Sequence, residues 1–140
     1  MRTISIALLA ATLLGAVASS ADEPAKPASD VVKGQPGECY FIRDIGNWKA
    51  SADSKNIFLR VDRHHVLRLE LAASCPGLNW PDARLINRWR STVGSFCDAL
   101  DWDLTVTQGF REGPVVACIV KKMVPMSQEE VEALPPKQRP

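Results

Sequence analysis

Four cysteines, Cys39, Cys75, Cys97 and Cys118, all fall downstream of an apolar leader, and no other feature of the 140-residue chain constrains its fold as much. Arg2 precedes the mainly apolar run Ile4 to Val17, and small residues follow in Ala16-Val17-Ala18 and Ser19-Ser20-Ala21. This is the pattern of a secretory signal peptide over residues 1–21, with cleavage expected after Ala21 and Ala18 as the neighbouring choice. The run is shorter than the ~20 apolar residues that cross a bilayer, and no later segment approaches that length without charges, so no membrane span is expected. No cysteine stands beside the cleavage region, which gives lipid attachment no support. An even number of cysteines in an exported chain is most simply two disulfides, so Cys75 is read as a staple and not as a nucleophile. Of the three pairings, Cys75 with Cys97 and Cys39 with Cys118 is expected, because the second bond would tie the first strand to the last. Loop-closure entropy does not choose among them, since every pairing stabilises to a similar degree.

The expected location is periplasmic or secreted. The chain carries 17 Lys and Arg against 16 Asp and Glu, and loss of Arg2 with the leader leaves 16 of each. A neutral mature chain lacks the basic excess by which phosphate-binding proteins gain affinity, so general nucleic-acid binding is disfavoured. What remains is one small domain, whose limited core would benefit from covalent ties.

Residues 22–38 contain three prolines and two glycines with only Val31-Val32 to bury, which reads as a flexible leader. The folded domain is expected over residues 39–126, and a short helix and tail over 127–140. Ser127 and Glu130 have the spacing of a capping box, Pro135 and Pro136 would end the helix, and the rest of the tail is expected to fray. Between these ends the signal has period two. Ile57, Leu59 and Val61 alternate with Phe58, Arg60 and Asp62, while Leu67, Leu69 and Leu71 alternate with Arg68 and Glu70, giving two half-buried strands. Opposite charges facing each other favour pairing Val61 with Leu69, with the connection centred on His64, His65 and Val66. Leu85 to Arg90 reads as a strand in preference to a short helix, Leu104 to Thr107 as a strand ending near Gly109, and Val115 to Val124 as a strand buried on both faces. The fold class that follows is mainly β: a small antiparallel barrel or sandwich of about six strands, with two disulfides and a short C-terminal helix.

Chemistry-bearing patterns are sparse. His64 and His65 are the only histidines, and neighbours on a strand point to opposite faces, so they do not clasp one ion. Asp98, Asp101 and Asp103 lack the turn glycine and terminal glutamate of a calcium loop. No cofactor and no metal site is expected. No Ser/His/Asp set, phosphate-cradling glycine loop or paired-carboxylate signature is present, so no catalytic residue is assigned and the chain does not read as an enzyme. Trp48, Trp80, Trp89 and Trp102 are many indoles for one small domain, and most should be buried. Trp80, between Asn79 and Pro81 in an expected loop, is the candidate for ligand contact, with Arg84, Arg88 and Arg90 as candidate anion-binding neighbours.

The residues Cys39, Ile45, Trp48, Asp53, Val61, Leu69, Leu71, the run Cys75-Pro76-Gly77-Leu78, Cys97 and Cys118-Ile119-Val120 together resemble a family of small exported bacterial proteins classed as a domain of unknown function. The resemblance covers about residues 39–124, and Cys-x-Gly-Leu after a Leu-x-Leu strand is its most specific piece. It implies a short secreted or lipid-anchored protein, from whose anchored form this chain departs by lacking a lipobox cysteine. It implies no established activity. The functional expectation is a non-enzymatic binding or accessory module of the bacterial envelope, acting on an envelope protein or small ligand. The alternative is a periplasmic inhibitor of an enzyme such as a cell-wall hydrolase, inserting Asn79-Trp80-Pro81 or the His64-His65 tip.

Overall fold

A computed structural model of the chain describes residues 34–35, 37–88, 94–109 and 113–140. The expected signal peptide, most of the expected flexible leader, Trp89 and Arg90 lie outside these residues. The alternating segments form strands, and nine strand segments occur among the described residues where about six were expected. They are β1 (Tyr40–Phe41), β2 (Ile45–Ala50), β3 (Asn56–Val61), β4 (His65–Leu71), β5 (Ala83–Asn87), β6 (Ser95–Phe96), β7 (Leu104–Gln108), β8 (Val115–Cys118) and β9 (Val120–Pro125), with one helix, α1 (Gln128–Glu132). Among the described residues the antiparallel pairs make three sheets, β1-β6, β2-β3-β4-β9 and β5-β7-β8, and no closed barrel forms.

One core lies between the inner faces of the two larger sheets. Ile57, Leu59 and Val61 on β3 and Leu67, Leu69 and Leu71 on β4 meet Leu104 and Val106 on β7 there, as period-two burial dictates. Phe58 and Val66 point the other way, yet they too are buried, because Met126 and Val131 of the C-terminal segment cover them and Leu134 packs alongside. α1 therefore serves as a lid over the outer face of the β3-β4 hairpin. Its capping box is formed as expected: Ser127 Oγ accepts from the Glu130 amide and the Glu130 carboxylate accepts from the Ser127 amide. The tail does not fray. Residues Pro136–Gln138 make a 3-10 turn, Arg139 Nε donates to Leu134 O at 2.8 Å, and the Arg60 guanidinium donates twice to Pro140 O at 3.2 and 3.1 Å.

The disulfides join Cys39 to Cys97 and Cys75 to Cys118, which corrects the expected pairing. The reason is the small β1-β6 ladder: Tyr40 faces Phe96 and Phe41 faces Ser95, so the next antiparallel position brings Cys39 beside Cys97, with Cα atoms 4.1 Å apart. Cys118, buried at the end of β8, is then matched with buried Cys75 in the loop after β4. These bonds span 58 and 43 residues. In the chain-entropy treatment each stabilises by about 4 kcal/mol.

Two further expectations are overturned. Val115 to Val124 is not one strand buried on both sides, since Val115 is 66% and Ile119 73% exposed. At Ile119 the chain leaves β8 in one sheet for β9 in another, and the Ala72 amide donates to Ile119 O at 2.9 Å where β4 ends. The β3-β4 register pairs Val61 with His65 and Leu59 with Leu67, in place of Val61 with Leu69. Turn chemistry outweighs charge pairing here. Asp62 takes a left-handed φ of 59°, and its Oδ1 accepts from the amides of His64 at 2.6 Å and His65 at 3.0 Å, which closes the reversal over Asp62 to His64. Arg68 finds its partner on its own strand, with Nη2 3.2 Å from Glu70 Oε1.

Burial pushes the Asp62 carboxyl up, but hydrogen bonds from the His64 amide and then from the His65 ring and amide outweigh it and hold the group below the usual carboxylate range. A depressed folded-state pKa contributes stability above the unfolded value of about 3.9, and that stability is lost as pH falls through the folded value. Asp62→Asn, which tolerates the same backbone and keeps one acceptor, should lower the urea midpoint at pH 6 and flatten its decline toward pH 3. An unchanged midpoint across that range contradicts the assignment.

Candidate functional site

β2 does not run evenly against β3. Ile45 faces Val61 and Trp48 faces Leu59, so one extra residue is accommodated around Gly46 and Asn47. Without this bulge Ile45 and Trp48 would point to opposite faces; with it, both turn toward the core side and Trp48 is left half-buried at its margin.

The opposite wall is the loop from Cys75 to Trp80. Asn79 Nδ2 donates to Ser51 O at 3.1 Å and to Ser54 Oγ at 2.9 Å, and the Cys75 amide donates to Ser54 O at 2.9 Å. These bonds fasten the loop to the turn between β2 and β3. That turn is itself braced by buried Ser51, whose Oγ donates to Asp53 Oδ1 and accepts from the Asn56 amide at 2.9 Å. The Ser51 hydroxyl, followed by the Lys55 amide, draws the Asp53 carboxyl below its ordinary range. Gly77 has φ +96°, and a Cβ there would lie 2.7 Å from the Trp80 ring, so glycine is required both by the backbone and by the indole lying against it. Asp82, at φ +58°, then turns the chain into β5.

Between these walls lies a groove of about 430 Å³. Trp48 and Lys49 of β2, Trp80 and Asp82 of the loop, and Lys137 of the C-terminal turn line it, together with Asn47 and Asn79. Two indole faces beside amides, one carboxylate and two ammonium groups can stack on a flat or C–H-rich ligand surface and hydrogen-bond its rim.

Trp80 thus sits in a concavity. Arg84, on the exposed face of β5, and exposed Arg88, just past its end, do not line the groove, while Arg90 is outside the described residues. Trp102 is buried against Phe96, with ring centroids 5.0 Å apart. The contribution of Trp48, Asp82 and Lys137 was missed from sequence. A Gly-Asn pair inside a strand next to Trp48 is the bulge signal available for the first, whereas Lys137 is brought in only by the tertiary docking of the tail.

The remaining candidates have structural employment. Asp98 and Asp101 form a capping box around the 3-10 turn Ala99–Asp101, and Asp101 Oδ2 also accepts from the Cys97 amide at 2.7 Å. His65 Nδ1 is 2.9 Å from Asp62 Oδ2, an arrangement that orients an imidazole, and the His65 ring lies 5.5 Å from that of Tyr40. Burial, then the nearby Glu38 carboxylate, pushes the Tyr40 phenol upward, which keeps it protonated. Among the described residues no three His, Cys, Asp or Glu side chains gather to hold a metal, no cysteine is free, and no helix is long and apolar enough to cross a membrane.

Substituting Gly77→Ala should cost about 1–3 kcal/mol, the range for backbone held in an unfavourable region. It should also shift tryptophan emission as Trp80 is displaced. Urea unfolding followed by fluorescence checks both, and an unchanged native spectrum would show that the indole does not rest on Gly77.

No curated protein and no solved structure matches this chain. One family profile does, over residues 1–140, and its description is a family of unknown function, DUF6491. The chain belongs to that family.

Proposed function

We propose that this member of a family of unknown function is an exported, non-enzymatic binding or accessory module of the bacterial envelope, and that it takes its ligand in the groove between Trp48 and Trp80. Two disulfides and the apolar leader with its small-residue cleavage pattern support export to an oxidising compartment. The observation that carries the binding assignment is the pair of half-buried indoles lining one concavity, with Asp82, Lys49 and Lys137 at the same groove. Neither indole serves the centre of the core, and both are presented by backbone devices that fix them, the β2 bulge and the Gly77 turn. Such preorganisation is what a binding surface gains from rigid support. The ligand chemistry this favours is a neutral or zwitterionic glycan or short peptide, since the groove mixes both signs of charge and offers flat apolar faces.

The inhibitor alternative draws on the same loop, which Asn79 holds rigidly to the β2-β3 turn. It is the weaker reading, because Trp80 lines a hollow where an inserting residue should protrude.

Titration of the oxidised mature protein with soluble peptidoglycan fragments, followed by tryptophan emission, tests the assignment. A saturable shift is expected, with affinity falling at least about tenfold in Trp80→Ala, a loss typical of a truncated aromatic anchor. No response at millimolar fragment, or equal affinity in Trp80→Ala, would overturn it.

A further inference from the structure

The two disulfides stand in unlike surroundings. Cys75 and Cys118 are buried, at 3% and 5% exposure, whereas Cys39 is exposed and Cys97 half-buried. Cys97 also lines a hollow of about 440 Å³, whose other walls are β9 from Lys121 to Pro125 and the segment carrying Gln35, Gly37 and Glu38. Lys121 and Lys122 are matched in that lining by Glu38 and Asp98, so an approaching anion meets no net like charge among the described residues.

A disulfide opens when a thiolate attacks one of its sulfurs, so access governs the rate, and exposed bonds are the labile ones. We propose that Cys39–Cys97 is a thiol-exchange site, opened in the folded protein by a dithiol reductant while Cys75–Cys118 stays closed. The thiolate of the reductant attacks Cys39 Sγ. The bond to Cys97 breaks as a mixed disulfide forms at Cys39, and Cys97 leaves as a thiolate that takes up a proton. The second thiol of the reductant, after losing its proton, displaces Cys39 in turn and departs as the reductant's own disulfide. Two electrons and two protons have then passed from the dithiol to the protein. The core survives this step, because Tyr40 and Phe96, with ring centroids 5.9 Å apart, belong to the cluster that also holds Cys75 and Cys118. What loosens is the segment before Tyr40, which the Tyr40 hydroxyl also holds by donating to Glu38 Oε2 at 3.2 Å. That segment is one wall of the hollow, so the state of the exposed bond sets the shape of this part of the surface. The assignment is independent of the groove and of what the groove binds.

The test needs no variant. Oxidised protein is incubated with increasing dithiothreitol in the absence of denaturant, quenched with acid, alkylated and peptide-mapped. A species alkylated at Cys39 and Cys97, with Cys75–Cys118 intact, should accumulate at a rate linear in reductant. That rate should exceed the opening of the buried bond by at least about a hundredfold, since the buried bond must wait for a rare opened state of the domain. The accumulated species should keep its far-UV circular dichroism, with amide resonance shifts concentrated around β1, β6 and the hollow. When glutathione, a monothiol, replaces dithiothreitol, the adduct trapped by acid should sit on Cys39. Loss of both bonds in the same molecules, earlier opening of Cys75–Cys118, or no opening short of denaturation overturns the proposal, and an adduct on Cys97 overturns the attack at Cys39.

Discussion

The bond between Cys75 and Cys118 is the constraint on which the rest of this molecule depends. Cys75 follows the central hairpin of one sheet and Cys118 ends an edge strand of the other, so a single covalent tie holds together the two layers that enclose the core. A chain this small buries too little apolar surface for its sheets to be held by contact alone with much margin. Constraining the unfolded chain by the two cross-links therefore contributes on the scale of the net stability of a whole domain. The second bond, Cys39 to Cys97, fastens the short β1-β6 ladder, which two residue pairs alone would hold only weakly.

The candidate groove follows from where these ties leave the loops. With Cys75 fixed, the next five residues have little freedom, and Asn79 removes most of what remains by bonding across to Ser51 and Ser54. Trp80 is thereby set against Gly77 at the groove that Trp48 also lines, and the direction of Trp48 comes from the extra residue in β2. Trp48 lines both this groove and a second hollow between the two larger sheets. Concave surfaces on rigidly supported loops are the physical basis of the binding proposal.

Much of this was legible in the sequence, for identifiable reasons. Alternation at Ile57 to Val61 and Leu67 to Leu71 reports burial on one face directly, and the Ser127-Glu130 spacing reports a local hydrogen-bond exchange that needs no tertiary context. Cysteine parity gave the number of disulfides but carries no geometry, so the partners of Cys39 and Cys75 emerged only with the β1-β6 ladder. The hairpin register turned on Asp62 adopting a left-handed backbone, a choice that charge counting across the strands does not see. Val115 to Val124 misled because a continuous apolar run cannot reveal that Ile119 is a corner between sheets. Phe58 and Val66 sit at positions that period two assigns to solvent, and only the docked C-terminal helix explains their burial. Trp80 drew attention through its loop setting and does line a groove, whereas Lys137 reaches the same groove only because the tail docks, which no local pattern announces.

Peptide mapping of the purified, unreduced protein by mass spectrometry tests the central claim most directly, because each disulfide pairing yields its own set of cross-linked fragments. The account predicts fragments joining Cys39 to Cys97 and Cys75 to Cys118, with no alkylatable thiol. Fragments joining Cys75 to Cys97 and Cys39 to Cys118 would contradict it, and with it the position of Trp80 from which the groove was argued.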